Sequence, residues 1–349
     1  MKSDIVHIDG SIGEGGGQIL RTSLMLSIIS GRPFEISNIR SKRPNPGLRP
    51  QHLAALKAFT LITGGRLVGD QIGSTNIRFV PGEPKNQDIE IDVGTAGSIT
   101  LILSTLLPAL SFRGEDFSVT LKGGTDTKWS PTFDYFNEVV VRLYRSFGIN
   151  CDVRLVRRGY YPVGGGEVVA RIRSGHIVKS FKAIDREDEV VNIKSVCSNL
   201  PIHVAERQAR AAKQLLENDG VTVNEIITQN EYALSAGSVI CIYIKDLEVP
   251  VYIGGDSVGQ KGVSAEDVGF MAARNFLFSY NKRVALDVHC ADMAIPLMCL
   301  TEEESQIGIP SMTGHIVSNM YVSSLFTAKK FVQYTIDGKT IIKTASKVS

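Results

Sequence analysis

The sequence predicts an α/β fold in which a β-α-β-α-β-β unit occurs three times and the third copy carries a small inserted α/β domain. Two observations support this prediction. Stretches of alternating apolar residues are separated by stretches that are apolar at helical spacing, and the same order of elements returns three times. With 43% hydrophobic and 21% charged residues, the composition is that of a packed globular chain rather than a disordered one or a coiled coil. For 349 residues we expect two domains, or one domain that carries a large insert.

The first two predicted units follow each other directly. The first has a strand at 5–8, a helix at 18–29, a strand at 34–39, a helix at 52–61 and two strands within 65–80. The second has a strand at 89–93, a helix at 99–111, a strand at 117–121, a helix at 131–147 and strands at 150–156 and 167–172.

The third unit is interrupted. It opens with a strand at 177–183 and resumes with a helix at 284–300, a strand at 305–309, a helix at 315–327 and strands at 331–334 and 341–344. The segment between has a strand at 190–196, a helix at 202–217, strands near 221–234, 238–244 and 251–253, and a helix at 265–280. We therefore predict a large domain of 1–184 with 282–349, and an inserted small domain of 185–281.

Composition limits the kinds of function. The net charge of +2 excludes an overwhelmingly basic surface, so nucleic-acid binding would need a local patch. No apolar run approaches the ~20 residues of a membrane helix, and the N-terminus has no apolar signal core, so we expect a cytoplasmic protein. Five widely spaced cysteines without a C-x-x-C pair predict reduced core thiols rather than disulfides or a zinc site.

A glycine-rich turn at 13–17 lies between a predicted strand and a predicted helix. Free backbone N–H groups at such a place can bind an anion. Glu14 would repel phosphate unless a divalent cation lay between them, which suggests a metal ligand beside phosphates. Arg21, one turn into the helix, would complete a phosphate clamp. The alternative is a tight structural turn with an exposed Glu14.

The loop at 40–52 concentrates four cations within ten positions and is stiffened by three prolines. A stiff loop loses less entropy when its guanidinium groups bind a phosphate. The alternative is a solvated loop before a helix. Glycine-rich turns also occur at 94–98 and 123–126, at positions that match between the repeats, and we expect all three glycine-rich turns to border one shared cleft.

The segment 158–168 is the most unusual in the chain, with three consecutive glycines after two tyrosines. The glycines would let another backbone or a ligand approach closely, and Tyr160 and Tyr161 could stack on bases. A plain β-hairpin turn is the alternative.

Among the six histidines, His315 is the candidate nucleophile. It follows Gly314 where the last predicted helix begins, so its ring could project into a cleft, and a neutral imidazole can attack phosphorus. His289 precedes Asp292 by three residues, which places both on one helix face. The alternative is that these histidines are structural.

Together these motifs resemble the RNA 3′-terminal phosphate cyclases over nearly the whole chain. The resemblance rests on the segments 8–22, 40–53, 94–98, 158–168, 289–292 and 313–315. It implies an ATP-dependent ligase that converts an RNA 3′-phosphate to a 2′,3′-cyclic phosphate through a covalent histidyl-AMP and an RNA adenylate, releasing AMP and pyrophosphate. It also implies a three-repeat, enolpyruvyl-transferase-like large domain with a small insert. The partner would be RNA with a 3′-terminal phosphate, and the resemblance leaves a homodimer open.

The resemblance further assigns roles to individual residues. His315 would be the nucleophile, and Glu14 would bind the divalent metal, Mg²⁺ or Mn²⁺. The nucleotide would be bound by Arg21, Ser104, Pro131, His289 and Asp292, with the adenine between Pro131 and His289. The RNA terminal phosphate would be bound by Arg40, Arg43 and Gln51. One departure is visible: some relatives have a glutamine where this chain has Ser104, and that side chain is too short for the same hydrogen bond.

Two other functions compete with this one. A non-catalytic cyclase-like protein could bind RNA as a scaffold in ribosome assembly, but such relatives lack the nucleophilic histidine. An enolpyruvyl transferase would rest on fold analogy alone, and fold does not fix function.

Overall fold

The computed structural model describes residues 4–83, 88–94, 96–186, 190–245 and 250–345, with only the backbone described for Pro50 and Gln51. The first repeat forms one four-stranded sheet with two helices. Its elements in order are β1 (Val6–Asp9), α1 (Gly17–Ser30), β2 (Phe34–Ser37), α2 (Pro50–Thr63), β3 (Arg66–Val68) and β4 (Ile77–Val80). The strand order is β1-β2-β4-β3, with β1 and β2 parallel and the other two pairs antiparallel.

The second repeat has the same arrangement. Its elements are β5 (Asp88–Asp92), α3 (Ile99–Ser111), β6 (Phe117–Gly123), a helix in three segments, β7 (Asn150–Arg157) and β8 (Gly166–Arg173). The three helical segments are α4 (Phe133–Tyr135), a π-helical turn (Phe136–Val140) and α5 (Val141–Ser146). The strand order β5-β6-β8-β7 repeats that of the first unit, again with a parallel first pair.

The third repeat begins before the inserted segment and ends after it. Its elements are β9 (Lys182–Ala183), α8 (Val288–Met298), β14 (Gln306–Ile309), α9 (Gly314–Phe326), β15 (Lys330–Ile336) and β16 (Lys339–Ala345). Its sheet, β9-β14-β16-β15, has the order and the parallel first pair of the other two. Three sheets with one strand order confirm the predicted α/β class and its repeated unit.

The intervening segment forms a sheet of its own. Its elements are β10 (Val191–Ser198), α6 (His203–Asn218), β11 (Val223–Asn230), β12 (Gly237–Ile244), β13 (Gly254–Val258) and α7 (Ala265–Tyr280). The strand order is β11-β10-β12-β13. The helices α6 and α7 pack together, and a separate apolar cluster that includes Ile193, Ile242 and Phe276 lies between them and the sheet. The exact division at 185 and 281 stays a prediction.

Several element boundaries differ from the sequence prediction. Helix α8 begins at Val288 rather than at 284, because the Asp287 carboxylate caps it by accepting from the N–H groups of His289 and Cys290 at 2.9 and 2.8 Å. The strand expected at 251–253 lies at Gly254–Val258, and β9 has only two residues of the predicted strand at 177–183.

The large core is continuous across the three repeats. It contains residues of α1, α3, α8 and α9 together with the inner faces of their sheets. Strand β6 shows the pattern behind this, because its residues alternate strictly between buried and half-buried. Helix α1 contacts α3 of the second repeat and α9 of the third, so helices from all three repeats pack together in this core.

All five cysteines are free and buried, which is the arrangement expected of core thiols. Burial raises the pKa of Cys151 to about 11, so that this thiol stays protonated. Within the described ranges, no helix is both long and apolar enough to cross a bilayer.

Candidate active site

A cleft with a volume of about 1010 Å³ lies where the three repeats and the inserted segment meet. Its walls come from the start of α1, the loop before α2, helix α3, the segment 127–132, helix α8, the start of α9 and strand β13. Among the lining residues are Glu14, Arg21, Arg40, Arg43, Ser104, Pro131, Asp256, His289, Asp292 and His315. It is therefore the place where chemistry-bearing residues from distant parts of the chain converge.

The glycine-rich turn before α1 packs against the first turn of α9. Gly13 has φ of +66°, and a Cβ there would stand 2.2 Å from the Ser318 hydroxyl oxygen, so no larger residue fits. A Cβ on Gly314 would stand 3.1 Å from the Cβ of Glu14. This close approach of the first and third repeats places the Glu14 carboxylate in contact with the His315 ring.

His315 is held from the opposite side by Asp292. The ring Nδ1 lies 3.1 Å from Asp292 Oδ2, and because a carboxylate accepts, this bond fixes the proton on Nδ1. Asp292 is itself fixed, since the hydroxyl of Thr313 donates to its Oδ1 at 3.0 Å. The same hydroxyl caps α9 by accepting from the N–H of Ile316 at 3.0 Å.

The Nε2 atom of His315 is directed into the cleft, where it contacts Glu14 Oε2. The second oxygen of Glu14 contacts the guanidinium of Arg43, so one carboxylate bridges the imidazole and the basic loop. The hydrogen bond to Asp292 raises the pKa of His315 above its ordinary value, and the charge of Glu14 adds to this effect, although burial opposes it.

Arg21 is held on the inward face of α1. Its guanidinium donates to Gln18 Oε1 at 2.5 Å, and the Gln18 amide donates in turn to Asn319 Oδ1 at 3.3 Å. The Asn319 amide donates to the carbonyl of Asp292 at 2.5 Å. Burial lowers the pKa of Arg21 to about 10, with Asp292 opposing the shift, so the side chain stays cationic at neutral pH.

The loop before α2 supplies further positive charge. Arg40 has a buried Nε without a hydrogen-bond partner, and its pKa is lowered first by burial and then by the charges of Arg43 and Arg49. Burial and neighbouring arginines also lower the pKa of His52 to about 4, so this ring is neutral at physiological pH. Mutually repelling cations with an unused buried donor form a site suited to an anion.

The side of the cleft away from the basic loop includes an imidazole ring and a proline ring, from His289 and Pro131. The ring of His289 is exposed and meets Tyr135 edge-on, with ring centroids 6.5 Å apart and an interplanar angle of 89°. The Pro131 carbonyl accepts from the Thr100 hydroxyl at 2.7 Å, which fixes the proline at the cleft. Ser104 lines the cleft too, but its hydroxyl donates to the carbonyl of Leu101 at 2.9 Å in its own helix.

The sequence is similar to one known family over nearly its whole length. A family model described as RNA 3′-terminal phosphate cyclase matches residues 12–332. The RNA 3′-terminal phosphate cyclase of Pyrobaculum aerophilum is 43% identical over 330 residues, with 93% of this chain and 94% of that protein covered. The one from Pyrococcus furiosus is 41% identical over 332 residues, with 94% of both chains covered. This chain belongs to the RNA 3′-terminal phosphate cyclase family.

Among solved structures, the enolpyruvyl transferase NikO from Streptomyces tendae is similar, at 13% sequence identity. The match covers 47% of this chain and 33% of that chain, with a TM-score of 0.25. Because this similarity is low, the fold is assigned from the shared strand order of the three repeat sheets in this chain.

Most of the residues assigned from the family resemblance lie in the one cleft, as the lining shows. Gln51 is the exception, because its side chain is outside the described residues. Asp256 is the residue that the sequence analysis missed. It is one carboxylate in a strand of the insert, and no motif or periodicity singles it out.

The expectation that three glycine-rich turns border one cleft is wrong for two of them. Of the described residues at 94–98 and 123–126, none lines the cleft. Gly124 donates to the carbonyl of Gly97 at 2.8 Å, and a Cβ on Gly123 would stand 2.7 Å from that same oxygen. These glycines let two backbone segments of the second repeat pack together, and the cleft is lined instead by the segment that follows, 127–132.

The stacking role expected for Tyr160 is also wrong, because the ring is buried, with 2% of its surface exposed. It packs over Gly237, where a Cβ would stand 2.2 Å from the ring. The glycines of this segment serve close backbone approach, since a Cβ on Gly159 would stand 2.3 Å from the nitrogen of Gly166. Tyr161 remains exposed.

Proposed function

We propose that this protein converts an RNA 3′-terminal phosphate to a 2′,3′-cyclic phosphate at the expense of ATP, with His315 as nucleophile. The observation that carries the proposal is the environment of His315. Asp292 holds Nδ1 as a donor, and Nε2 enters a cleft that also contains Arg21, Arg40 and Arg43. A fixed tautomer with its lone pair in an anion-binding cleft is what attack on phosphorus requires.

In the first step, the lone pair of Nε2 attacks the α-phosphorus of ATP and the bond to pyrophosphate breaks. The product is a covalent histidyl-AMP. The developing negative charge on the triphosphate would be neutralised by Arg21, which is cationic and held in place by Gln18. Glu14 contacts Nε2 and must move away before the attack. A nucleotide that enters the same cleft would displace the Glu14 carboxylate from Nε2.

In the second step, an oxygen of the RNA 3′-phosphate attacks the phosphorus of the histidyl-AMP, and the nitrogen–phosphorus bond breaks. Arg40 and Arg43 are the groups proposed to hold that phosphate, together with Gln51. In the third step, the neighbouring 2′-hydroxyl attacks the 3′-phosphorus, loses its proton and expels AMP. This cyclisation is fast because the hydroxyl and the phosphorus belong to one nucleotide.

A divalent metal, Mg²⁺ or Mn²⁺, fits this site through Glu14. These ions are often bound by one or two carboxylates together with substrate phosphates rather than by a complete protein cage. Within the described ranges there is no cluster of three or more histidine, cysteine or acidic residues suited to a metal, so a single carboxylate would share the ion with ATP. The ion would supply charge neutralisation on the triphosphate.

The scaffold function is not favoured, because this chain has the histidine that non-catalytic relatives lack and places it between Asp292 and Glu14. Cytoplasmic location and a homodimer stay predictions.

Product analysis tests the proposed function. An RNA oligonucleotide with a 3′-phosphate, incubated with ATP and Mg²⁺ or Mn²⁺, should become resistant to phosphatase while AMP and pyrophosphate appear in equal amounts. The same RNA with a 3′-hydroxyl is the matched control and should not react. If the 3′-phosphate remained sensitive to phosphatase at full occupancy of ATP, the proposed function would be wrong.

A further inference from the structure

The inserted segment contributes one carboxylate, Asp256, to the cleft that otherwise belongs to the three repeats. Asp256 lies in β13 and is half-buried. Its own carbonyl accepts from the Asn275 amide of α7 at 3.1 Å, and the preceding Gly255 packs so closely on α7 that a Cβ would stand 2.4 Å from the Phe276 nitrogen. The backbone beneath this carboxylate is therefore fixed.

The side chain of Asp256 is also fixed, because it is bonded to the segment that carries Pro131. The backbone N–H of Thr132 donates to Asp256 Oδ2 at 2.8 Å, and the Thr132 hydroxyl adds a second interaction. A carboxylate offers about four acceptor positions, so Thr132 leaves acceptor capacity unused. Burial raises the pKa of Asp256, and the hydrogen bonds from Thr132 oppose this shift.

The surroundings indicate which part of a nucleotide would meet this acceptor. Thr132, which is bonded to Asp256, directly follows Pro131, and the exposed ring of His289 lines the same cleft. The arginines that suit phosphates come instead from α1 and the loop before α2. Flat, weakly polar groups favour a base over a sugar or a phosphate. Adenine presents an exocyclic amino group, which is a donor, where hypoxanthine presents a carbonyl, which only accepts.

We propose that Asp256 accepts a hydrogen bond from the exocyclic amino group of adenine and so makes the site selective for adenine nucleotides. This inference rests on the proposed function, because it takes the cleft to be the ATP site. It gives the inserted domain a direct part in nucleotide recognition: the domain supplies an acceptor that rejects a base with a carbonyl at that position, since two acceptors would face each other.

The experiment measures equilibrium binding of AMP, IMP and 2′-deoxy-AMP by calorimetry, since these nucleotides have no pyrophosphate to lose and cannot react. The wild-type protein should bind AMP at least about tenfold more tightly than IMP, which is the effect expected of one hydrogen bond to a charged group. Asp256→Ala should reduce this preference to near unity.

Asp256→Asn is the more informative variant, because it should reverse the preference between AMP and IMP. The Thr132 N–H requires an acceptor, so the amide oxygen takes that bond and the amide nitrogen becomes a donor toward the cleft. IMP should then bind more tightly than AMP. Asp267→Asn, an exposed acid-to-amide change on α7, is the matched control and should keep the wild-type preference. Thermal unfolding of each variant checks that it is folded.

Three outcomes would overturn the inference. The preference for AMP over IMP could survive in both Asp256 variants. Alternatively, the variants could lose their preference for AMP over 2′-deoxy-AMP instead, which would assign Asp256 to the ribose. Finally, the wild-type protein could bind neither AMP nor IMP, which would contradict the proposed function as well as the inference. By contrast, variants that bind AMP with the wild-type base preference would refute only the role of Asp256.

Discussion

His315 lies between two carboxylates that act on its pKa in the same direction. The hydrogen bond to Asp292 and the charge of Glu14 both favour the protonated ring, so the pKa lies above the ordinary value of ~6.5. A protonated imidazole has no lone pair for attack. The two carboxylates therefore lower the reactivity of the ring at low pH, while the bond to Asp292 fixes its tautomer and orientation.

The raised pKa of His315 predicts how the pH dependence of adenylylation changes in Asp292→Asn. Removing the carboxylate lowers the pKa of His315, so the acid limb of the single-turnover rate should move to lower pH, while the plateau rate falls because Nδ1–H loses its best acceptor. The rate of adduct formation measured from pH 5 to pH 8 checks both effects. An acid limb that stayed in place or moved to higher pH would contradict this account of Asp292.

Glu14 supports a second prediction at this scale. Glu14→Ala should strongly slow formation of the adduct and raise the concentration of divalent metal needed for half-maximal rate, because a carboxylate at the triphosphate needs a cation between them. The test is the adenylylation rate titrated with Mg²⁺ and with Mn²⁺. A variant with an unchanged metal requirement would identify Glu14 as a residue of the turn only.

At the scale of elements, the proposed function assigns the loop between β2 and α2 to the RNA phosphate rather than to ATP. Arg43 contacts Glu14, and Arg40 has an unused buried donor, so the loop borders the nucleophile without carrying it. If Arg43 holds the RNA phosphate, the two half-reactions depend differently on this loop.

We therefore expect Arg43→Ala to form the histidyl adduct from ATP but to transfer AMP to RNA more slowly, by about ten- to a hundredfold. This is the effect of losing one charge-assisted contact of about 1.5–3 kcal/mol. Arg43→Lys should recover only part of the rate, since an ammonium lacks the planar fork. Lys42→Ala removes the same charge from an exposed neighbour and is the matched control. Equal loss of adduct formation and transfer in Arg43→Ala would assign the loop to the ATP site.

The helices and strands also show which features of the fold can be predicted from the sequence. Hydrophobic periodicity was sufficient for the repeated unit, because each sheet buries one face and each helix one stripe. It could not locate the start of α8, which Asp287 sets by capping, or the register that makes β13 begin at Gly254. The glycine-rich turns were recognised, but whether glycine serves a ligand or another backbone depends on what packs against it.

At the scale of the whole molecule, Arg158 joins the second repeat to the inserted segment. Its side chain is completely buried and pairs with Asp126, Asp134 and Glu231 at 3.1, 2.6 and 2.7 Å. Lys194 of β10 pairs with the other oxygen of Asp134 at 2.7 Å. Burial alone would raise the pKa of Asp134, but these two cations outweigh it and lower the pKa.

Loss of this arginine should therefore be severe. Arg158→Ala would leave buried carboxylates without their shared partner, and we expect the free energy of unfolding to fall by about 3–5 kcal/mol. Arg154→Ala, at an exposed position of β7, should change the free energy of unfolding by less than about 0.5 kcal/mol. Urea unfolding followed by circular dichroism makes the comparison. Similar stability of the two variants would show that the network contributes little.

Sequence reasoning noticed the segment that contains Arg158 but not its role, because the three acids that pair with it are 24 to 73 residues away along the chain. The contribution of Asp256 was out of reach for the same reason. Residues that join the second repeat to the inserted segment follow no spacing rule, since only tertiary packing brings them together.

Covalent adenylylation of His315 is the step on which the whole proposed reaction depends. Incubation with ATP labelled on the α-phosphate should leave label on the protein that is stable to alkali and labile to acid, as a nitrogen–phosphorus bond requires, and peptide mapping should place it on His315. His315→Ala should fold normally and carry no label. Equal labelling of that variant, or label on a different residue of the wild-type protein, would contradict the account.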